Sequence, residues 1–386
     1  MRRVGIYVPH GDVPDVRGFS PAIVAWQHAL RLRRFEPVLF CANETGRAAK
    51  DAHLGISIHR MRVGRLYLRV FCKWTRWDPL PLHRRVSSPV RREAIALWHA
   101  HQLEFPVADF KRALGKSLPV IVHAHATAQR YHAGRGLAER YLAVSDYVRR
   151  TLAEEKGYPP ERIAVLPNGV DTNLFRPGDE AERAAIRETL GLPLDAPLVL
   201  FAGRKQEVKG FDTFLAVARE ILKQPGDAVF LAVGPEPPDT RRESSFAQCR
   251  ALRSELTRSP RYRELDALPQ DRLAALFRAA DILLAPSRTE PQGMVMIEGM
   301  AAGLIVISSA TGGILESIRH GETGLLLDDA RDVHAAARLL EKVLERPGDW
   351  VKMAAAARLD AQRRFSWEAV VGKLENIYEE VITEWT

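Results

Sequence analysis

Cysteine is scarce. The three in the chain, Cys41, Cys72 and Cys249, show no CxxC spacing, so neither a disulfide framework nor a zinc knuckle is indicated and ordinary packing is their expected role. Long apolar runs are missing too. PLVLFAG and LIVISSA stop far short of the ~20 residues a spanning helix needs, and VGIYV is too short for the core of a signal peptide. The chain is therefore expected in the cytoplasm. The GxSxG elbow, HExxH and the GxxxxGKS phosphate loop are absent, and GRGLAE lacks the third glycine of GxGxxG, which weakens hydrolase, zinc-protease, P-loop and simple dehydrogenase readings. Acidic residues are sparse in the first half. Residues 1–165 hold 28 Lys+Arg against 14 Asp+Glu, a net +14, while the remaining 28 and 34 give −6. Something acidic is expected to meet the first half.

What is present reads as two α/β domains. At 386 residues, with 46% hydrophobic content, the chain is a soluble globular type too long for one ordinary core. RRVGIYVPHG, PAIVAWQHALRL and PVLFC alternate strand, helix and strand, a βαβ unit. Strand-like runs follow in AIALWHAH, SLPVIVHAHA and ERYLAVSDYVRRTLAEE, with Ser145 placed to cap a helix. From residue 197 the rhythm restarts through PLVLFAG, FDTFLAVAREILKQ, AVFLAVG, DRLAALFRAA, DILLAPS, MVMIEGMAA and LIVISSA. Each half implies a parallel sheet covered by helices. The turn-rich PNGVDTNLFRPGD marks the join, giving domains 1–173 and 174–366, with 367–386 as a terminal helix.

Residues Arg60 to Arg92 interrupt this order. They hold ten Lys+Arg and one acid, Asp78, with Tyr67, Phe71, Trp74 and Trp77 interleaved. An exposed loop region is the plain reading. Cations alternating with aromatics also suit an anionic membrane surface or a nucleic-acid backbone, and the membrane, or a lipid-linked acceptor, is preferred because no nucleic-acid fold motif accompanies the charge. A peripheral position on the inner face of the plasma membrane follows, with no nucleic-acid partner.

In open parallel sheets ligands bind beyond the carboxyl ends of the strands. FAGRKQEVKGF follows a strand there and presents Arg204 and Lys209, a pair suited to a diphosphate or simply a solvated charged loop. His99 and His101, then His123 and His125, end two successive strands. Alternate strand positions share a face, yet a metal site needs further ligands and no clear set is visible, so plain hydrogen bonding fits most of them. RTEPQGMVMIEGMAAG places Glu290 before, and Glu298 inside, a helix beginning near Gly293. Free N–H groups at such a terminus suit phosphate, and a glutamate a turn and a half inside can accept two hydrogen bonds from a ribose diol.

LLAPSRTEPQGMVMIEGMAAGLIVI resembles the signature of family 4 of the retaining nucleotide-sugar glycosyltransferases, E-P-x-G-x-x-x-x-E-x-M-A-x-G. LAVSDYVRR, VLPNGVDTNLFRP, FAGRKQEVKGF, FRAADILLAPS and GGILESIRHGETGLLL match the family in the expected order, so the resemblance covers nearly the whole chain. It implies two Rossmann-like domains facing across a cleft (GT-B), with the last helix, near FSWEAVVGKLENIYEEVITEW, returning to the first domain. It implies retaining transfer of a hexose-type sugar from a nucleoside diphosphate sugar, UDP-linked, to a sugar or lipid-linked saccharide acceptor, in cell-envelope polysaccharide, lipopolysaccharide or glycolipid synthesis. No metal or cofactor is implied. Arg204 and Lys209 fall to the diphosphate, Glu298 to the nucleotide end, and Glu290 to the sugar hydroxyls. His125, six residues after Pro119, aligns with the histidine near the reaction centre, His123 being the alternative. The donor-binding set is Gly18, Arg204, Lys209, Glu290, Gly293, Met294, Val295 and Glu298, with His125 and Glu290 catalytic.

Three departures stand out. DVRGFS keeps only Gly18 of two adjacent glycines, AVGPEPPDT lacks a glycine–acid–glycine pattern, and Gln292 replaces a frequent aromatic. Two rivals remain. A glycoside hydrolase would use the glutamates as acid and base, but Glu298 has no expected reason for a raised pKa. A non-catalytic binding protein would not need Arg204, Lys209, His125, Glu290 and Glu298 together.

Overall fold

The computed structural model describes residues 1–8, 13, 20–43, 46–61, 82–102, 105–114, 118–127, 136–236 and 245–385. Its internal contacts divide the chain into Met1–Asn168 with Trp367–Thr386, and Gly169–Ser366. The division thus falls inside the turn-rich segment, after Asn168 rather than after residue 173.

The first unit holds one sheet built from β1 (Arg2–Val8), β2 (Phe35–Ala42), β3 (Lys50–His53), β4 (Ile56–Met61), β5 (Leu97–Ala100), β6 (Val120–Ala124), β7 (Arg140–Ala143) and β8 (Ile163–Val165). Their order is β3-β4-β2-β1-β5-β6-β7-β8, parallel except where β3 runs against β4. The second unit is wholly parallel: β9 (Leu198–Ala202), β10 (Val229–Val233), β11 (Tyr262–Leu265), β12 (Ile282–Ala285), β13 (Ile305–Ser309) and β14 (Leu325–Leu327), ordered β11-β10-β9-β12-β13-β14.

Continuous apolar runs become these strands because both faces are covered. Along β9, Leu198, Leu200 and Ala202 enter one apolar layer, while Val199 and Phe201 enter the other, as the two-residue period of a strand requires. Order reverses beside β1 and β9. Loops leaving β9 and β12 start from the switch point of strand order, the place where open α/β sheets commonly hold ligands.

Ser145 caps the helix Asp146–Arg150 as its sequence predicts, its side chain accepting from the Val148 N–H at 3.1 Å. The terminal helix Trp367–Trp385 is tied into the first unit by the buried Glu375. That carboxylate accepts the backbone N–H groups of Arg33 and Arg34, each at 2.7 Å, and the Arg34 Nε at 3.2 Å. Tyr378 of the same helix meets Phe35 edge-on at 5.4 Å. Among the described residues no helix is long and apolar enough to cross a membrane.

Residues 62–81, with Tyr67, Phe71, Trp74 and Trp77, lie outside the described residues, as does Gly18. Two parts of the basic stretch are described. The helix Leu82–Arg92 turns Val86 and Val90 inward and leaves Arg84, Arg91 and Arg92 exposed. Arg60, by contrast, is buried on β4, where it donates to the Val13 carbonyl at 2.8 Å and pairs with Asp51 at 3.1 Å. It is a structural cation and offers nothing to a surface.

Glu375→Ala strands two backbone donors that a carboxylate now satisfies, so it should cost about 2–4 kcal/mol. Glu375→Gln should recover part of the loss. Denaturant unfolding of the two variants checks this, and equal stability of Glu375→Ala and wild type would refute the anchoring role.

Candidate functional site

Arg204 and Lys209 leave the end of β9; Arg288 and Glu290 leave the end of β12. Gly210, at φ 71°, turns the first loop, and a Cβ there would lie 1.9 Å from the Pro286 carbonyl oxygen of the second. The two backbones are pressed together at this point, and only glycine permits it. Side chains then meet across the gap. Lys209 Nζ donates to Glu290 Oε2 at 2.5 Å, and Glu290 is only 8% exposed. Its carbonyl also accepts the Gly313 N–H at 3.0 Å, which draws in the loop after β13. Arg204, earlier on the same loop as Lys209, is exposed.

Arg288 makes a second cross-link that the sequence did not reveal. Its guanidinium donates to Glu207 of the β9 loop and to Asp212 of the following helix, and its N–H donates to the Val208 carbonyl at 3.0 Å. Burial raises the Asp212 pKa, and the Arg288 charge partly offsets this. Lys205, next to Arg204, was also missed. It is 4% exposed and pairs with Glu264 at 3.1 Å and Glu236 at 3.6 Å, which locks the ends of β9, β10 and β11 together. A buried lysine on a polar loop leaves no periodic trace.

Gly293 starts the helix Met294–Ala301 at φ 89° with no side-chain cap. The first-turn N–H groups, Met294 and Val295 among them, have no acceptor within the helix, and these two residues are half-buried. Helical side chains lean toward the N-terminus, so Glu298 leans toward that same end. It is 9% exposed, and burial alone pushes its carboxyl up to about 8. The expectation that Glu298 has no reason for a raised pKa is therefore corrected. Periodicity placed it on the helix, but burial is a tertiary property.

The first unit gathers five imidazoles. β5 and β6 are neighbours, which places His99, His101, His123 and His125 together, and His28 joins them from the helix Ser20–Arg31. His101 Nδ1 and His125 Nε2 are 3.1 Å apart, and His99 Nδ1 meets the Tyr378 hydroxyl at 2.6 Å. Burial pushes His125 down to about 3, opposed by its hydrogen bond with Asn168. His28 falls to about 3 by burial and the His125 charge, and His99, His101 and His123 are lowered well below the usual range, chiefly by burial. All five are neutral at pH 7. Their assembly was hidden because strand order is not written in strand sequence.

Lys209, Glu290, Gly293, Met294, Val295 and Glu298 thus collect around the β9 and β12 ends, and Arg204 is exposed on the loop that follows β9. His125 and His123 belong to the separate cluster of the first unit.

Comparison with known proteins bears on these arrangements. Residues 182–360 match the model described as "Glycosyl transferases group 1", and residues 18–174 match "Glycosyltransferase Family 4". The D-inositol 3-phosphate glycosyltransferases of Acidothermus cellulolyticus and Thermobispora bispora are each 36% identical to this chain, over 252 and 251 residues. Each alignment covers 64% of this chain, and 54% and 57% of those proteins. The chain thus spans about half the length of the curated relatives it matches. Among solved structures, sucrose-phosphate synthase from Thermosynechococcus elongatus has a TM-score of 0.81 at 23% identity and full coverage of both chains. Anabaena Alr3699/HepE in complex with UDP and glucose has a TM-score of 0.77 at 16% identity, covering 98% of this chain and 100% of that one.

The raised Glu298 pKa fixes the sign of a pH effect. Between the ordinary carboxyl range and about 8 the folded chain holds a proton that the unfolded chain has lost, so this group costs increasing stability as pH rises through that window. Glu298→Gln should therefore be more stable than wild type at pH 9, by at most about 5 kcal/mol, with the gap closing toward pH 5. Denaturant unfolding at pH 5, 7 and 9 tests this. A gap independent of pH would show that the carboxyl is not held neutral by burial.

Proposed function

We propose the reaction from one premise: the chain belongs to family 4 of the glycosyltransferases, of GT-B fold. It moves a hexose-type sugar from a nucleoside diphosphate sugar, UDP-linked, to an acceptor hydroxyl with retention at the anomeric carbon. The observation that carries this reading is the meeting of Lys209 and Glu290 at the β9 and β12 ends, beside an uncapped helix terminus with Glu298 buried behind it. Cations and N–H groups point to a diphosphate, and carboxylates to hydroxyls.

Arg204 and Lys209, with the Met294 and Val295 N–H groups beside Gly293, take the diphosphate and stabilise it as it departs. Side-chain cations thereby fill the part a metal could play. Glu298 accepts from the ribose hydroxyls. Glu290 and His125 contact the transferred sugar, and Gly18 belongs to the donor set. The bond from the anomeric carbon to the phosphate oxygen breaks as the bond to the acceptor oxygen forms on the same face, and the leaving oxygen takes the acceptor's proton. For the acceptor, the +14 of residues 1–165 supports an anionic molecule. A phosphorylated polyol, in keeping with the names of the relatives, and a lipid-linked saccharide of the cell envelope both qualify.

Three measurements test this reading. In a nucleotide titration with initial rates, Glu298→Gln should weaken free nucleoside diphosphate and raise the donor KM, whereas Glu290→Gln should spare nucleotide affinity and lower turnover. The reverse pattern would exchange the two ends, and sugar release without any nucleotide dependence would revive the hydrolase. Arg204→Ala and Lys209→Ala should each cost about 2–5 kcal/mol of diphosphate binding where the bound phosphate desolvates the cation. Because Lys209→Ala also leaves Glu290 buried and unpaired, Lys209→Met with Glu290→Gln is the control for folding. Unchanged nucleotide affinity in both single variants would remove the clamp, and no diphosphate release with any donor would favour a non-catalytic binding protein. Lastly, each cation near an anionic membrane contributes about 1 kcal/mol, so the chain should bind anionic vesicles at low salt and release them as salt rises. Equal binding to neutral vesicles would leave the soluble phosphorylated acceptor as the better choice.

A further inference from the structure

The imidazole cluster holds more nitrogen donors than the single sugar contact proposed for His125 uses. One ring nitrogen from each of His101, His123 and His125 lies within 4.8 Å of the other two. His101 Nδ1 and His125 Nε2, at 3.1 Å, already stand near the separation of about 3.3 Å that two nitrogens adopt on one tetrahedral ion with bonds of ~2.0–2.1 Å. His123 lies behind them, fully buried, and neither of its nitrogens makes a hydrogen bond of ordinary geometry. Only the Leu166 backbone favours its protonated form.

The donor chemistry selects the ion. The set is all imidazole, with no carboxylate or thiolate among the three, which disfavours calcium and magnesium and suits borderline divalent ions of the zinc class. A second grouping, His28, His99 and His101, is also close enough, but its rings are wholly buried and the Tyr378 hydroxyl already engages His99 Nδ1. Of these, His99 packs beside the three and His28 stays outside the proposed site. Tyr378 fixes the His99 ring, whose centroid lies 4.3 Å from that of His101. His125 is partly exposed, which provides an entry path and leaves one coordination position to water.

We propose that His101, His123 and His125 bind one zinc-class divalent cation, with water in the fourth position. Binding needs no nucleotide, and it draws on His125, the same side chain that the proposed transfer uses as its sugar contact.

The test uses the full chain, stripped with chelator and titrated with zinc chloride by calorimetry. One ion per chain is expected. Cobalt substitution should give the visible absorption of a tetrahedral site without a thiolate charge-transfer band, and X-ray absorption of the zinc-loaded chain should count three imidazoles. His123→Phe, which keeps a ring in place, should lower zinc affinity at least ~100-fold, beyond the loss seen when only an outer partner is changed, while His28→Phe should leave it unchanged. Absence of stoichiometric zinc binding would overturn the proposal. So would wild-type affinity in His123→Phe, loss of binding in His28→Phe alone, or fewer than three imidazoles on the ion. Should His123→Phe fail to fold, the imidazole count on the wild-type chain decides alone.

Discussion

Lys209 and Glu290 hold the second unit's site in shape. Each is carried by a loop that leaves the sheet where strand order reverses. A carboxylate 8% exposed is costly to leave unpaired, on the order of 3–5 kcal/mol when its partner is removed, and the ammonium at 2.5 Å supplies that partner. The contact exists only because the backbones beneath it touch, and they touch only because Gly210 lacks a Cβ. Arg288 repeats the link farther back, through Glu207 and Asp212. Two ion pairs and one glycine thus arrange the charges before any ligand arrives, which is the condition under which fixed charges act most strongly on a reacting group.

Much of this fold was legible because its central strands are buried on both faces and read as unbroken apolar runs. Where that signal fails, so did the reading. β3, KDAH, is exposed at all four positions, and its partner β4 carries two cationic or imidazole side chains; neither shows an apolar run. β11 and β14, with four and three residues, are too short to display a period. The site shows the same limit. Arg204 and Lys209 were legible as a pair of cations after a strand, but the structure separates them into an exposed arginine and a lysine already engaged. Lys205 and Arg288, which brace the loops, were illegible because an ion pair is a property of two distant segments. Glu264 and Asp212 are what give those two cations meaning, and nothing local points to them.

The histidines show a related limit from the other side. Two HxH pairs at strand ends were visible, and the facing of alternate residues was sound. What could not be read was that β5 lies beside β6 with His99 opposite Ile121, or that His28 completes the layer from a helix far earlier in the chain. Once packed together, five rings with few partners exclude charge from one another, since each imidazolium would meet both a dry surrounding and its neighbours. Neutrality of the group is thus a collective result. It leaves lone pairs where protons would otherwise sit.

On the proposed reading, Glu298 faces a conflict that the same cations resolve. An unliganded carboxyl held near 8 is mostly protonated at neutral pH, yet two hydroxyl donors are best received by a carboxylate. A ribose diol supplies donors in direct contact and draws the group toward its charged form, whereas the attached diphosphate brings like charge and opposes this. The balance turns on distance and screening. Hydroxyls would touch the carboxylate itself, while the diphosphate would sit against Lys209, Arg204 and the positive end of the Met294–Ala301 helix, whose partial charge also lies within reach of Glu298. The cations therefore serve both ends of one nucleotide: they hold its phosphates, and by cancelling those charges they let a buried glutamate ionise against its sugar.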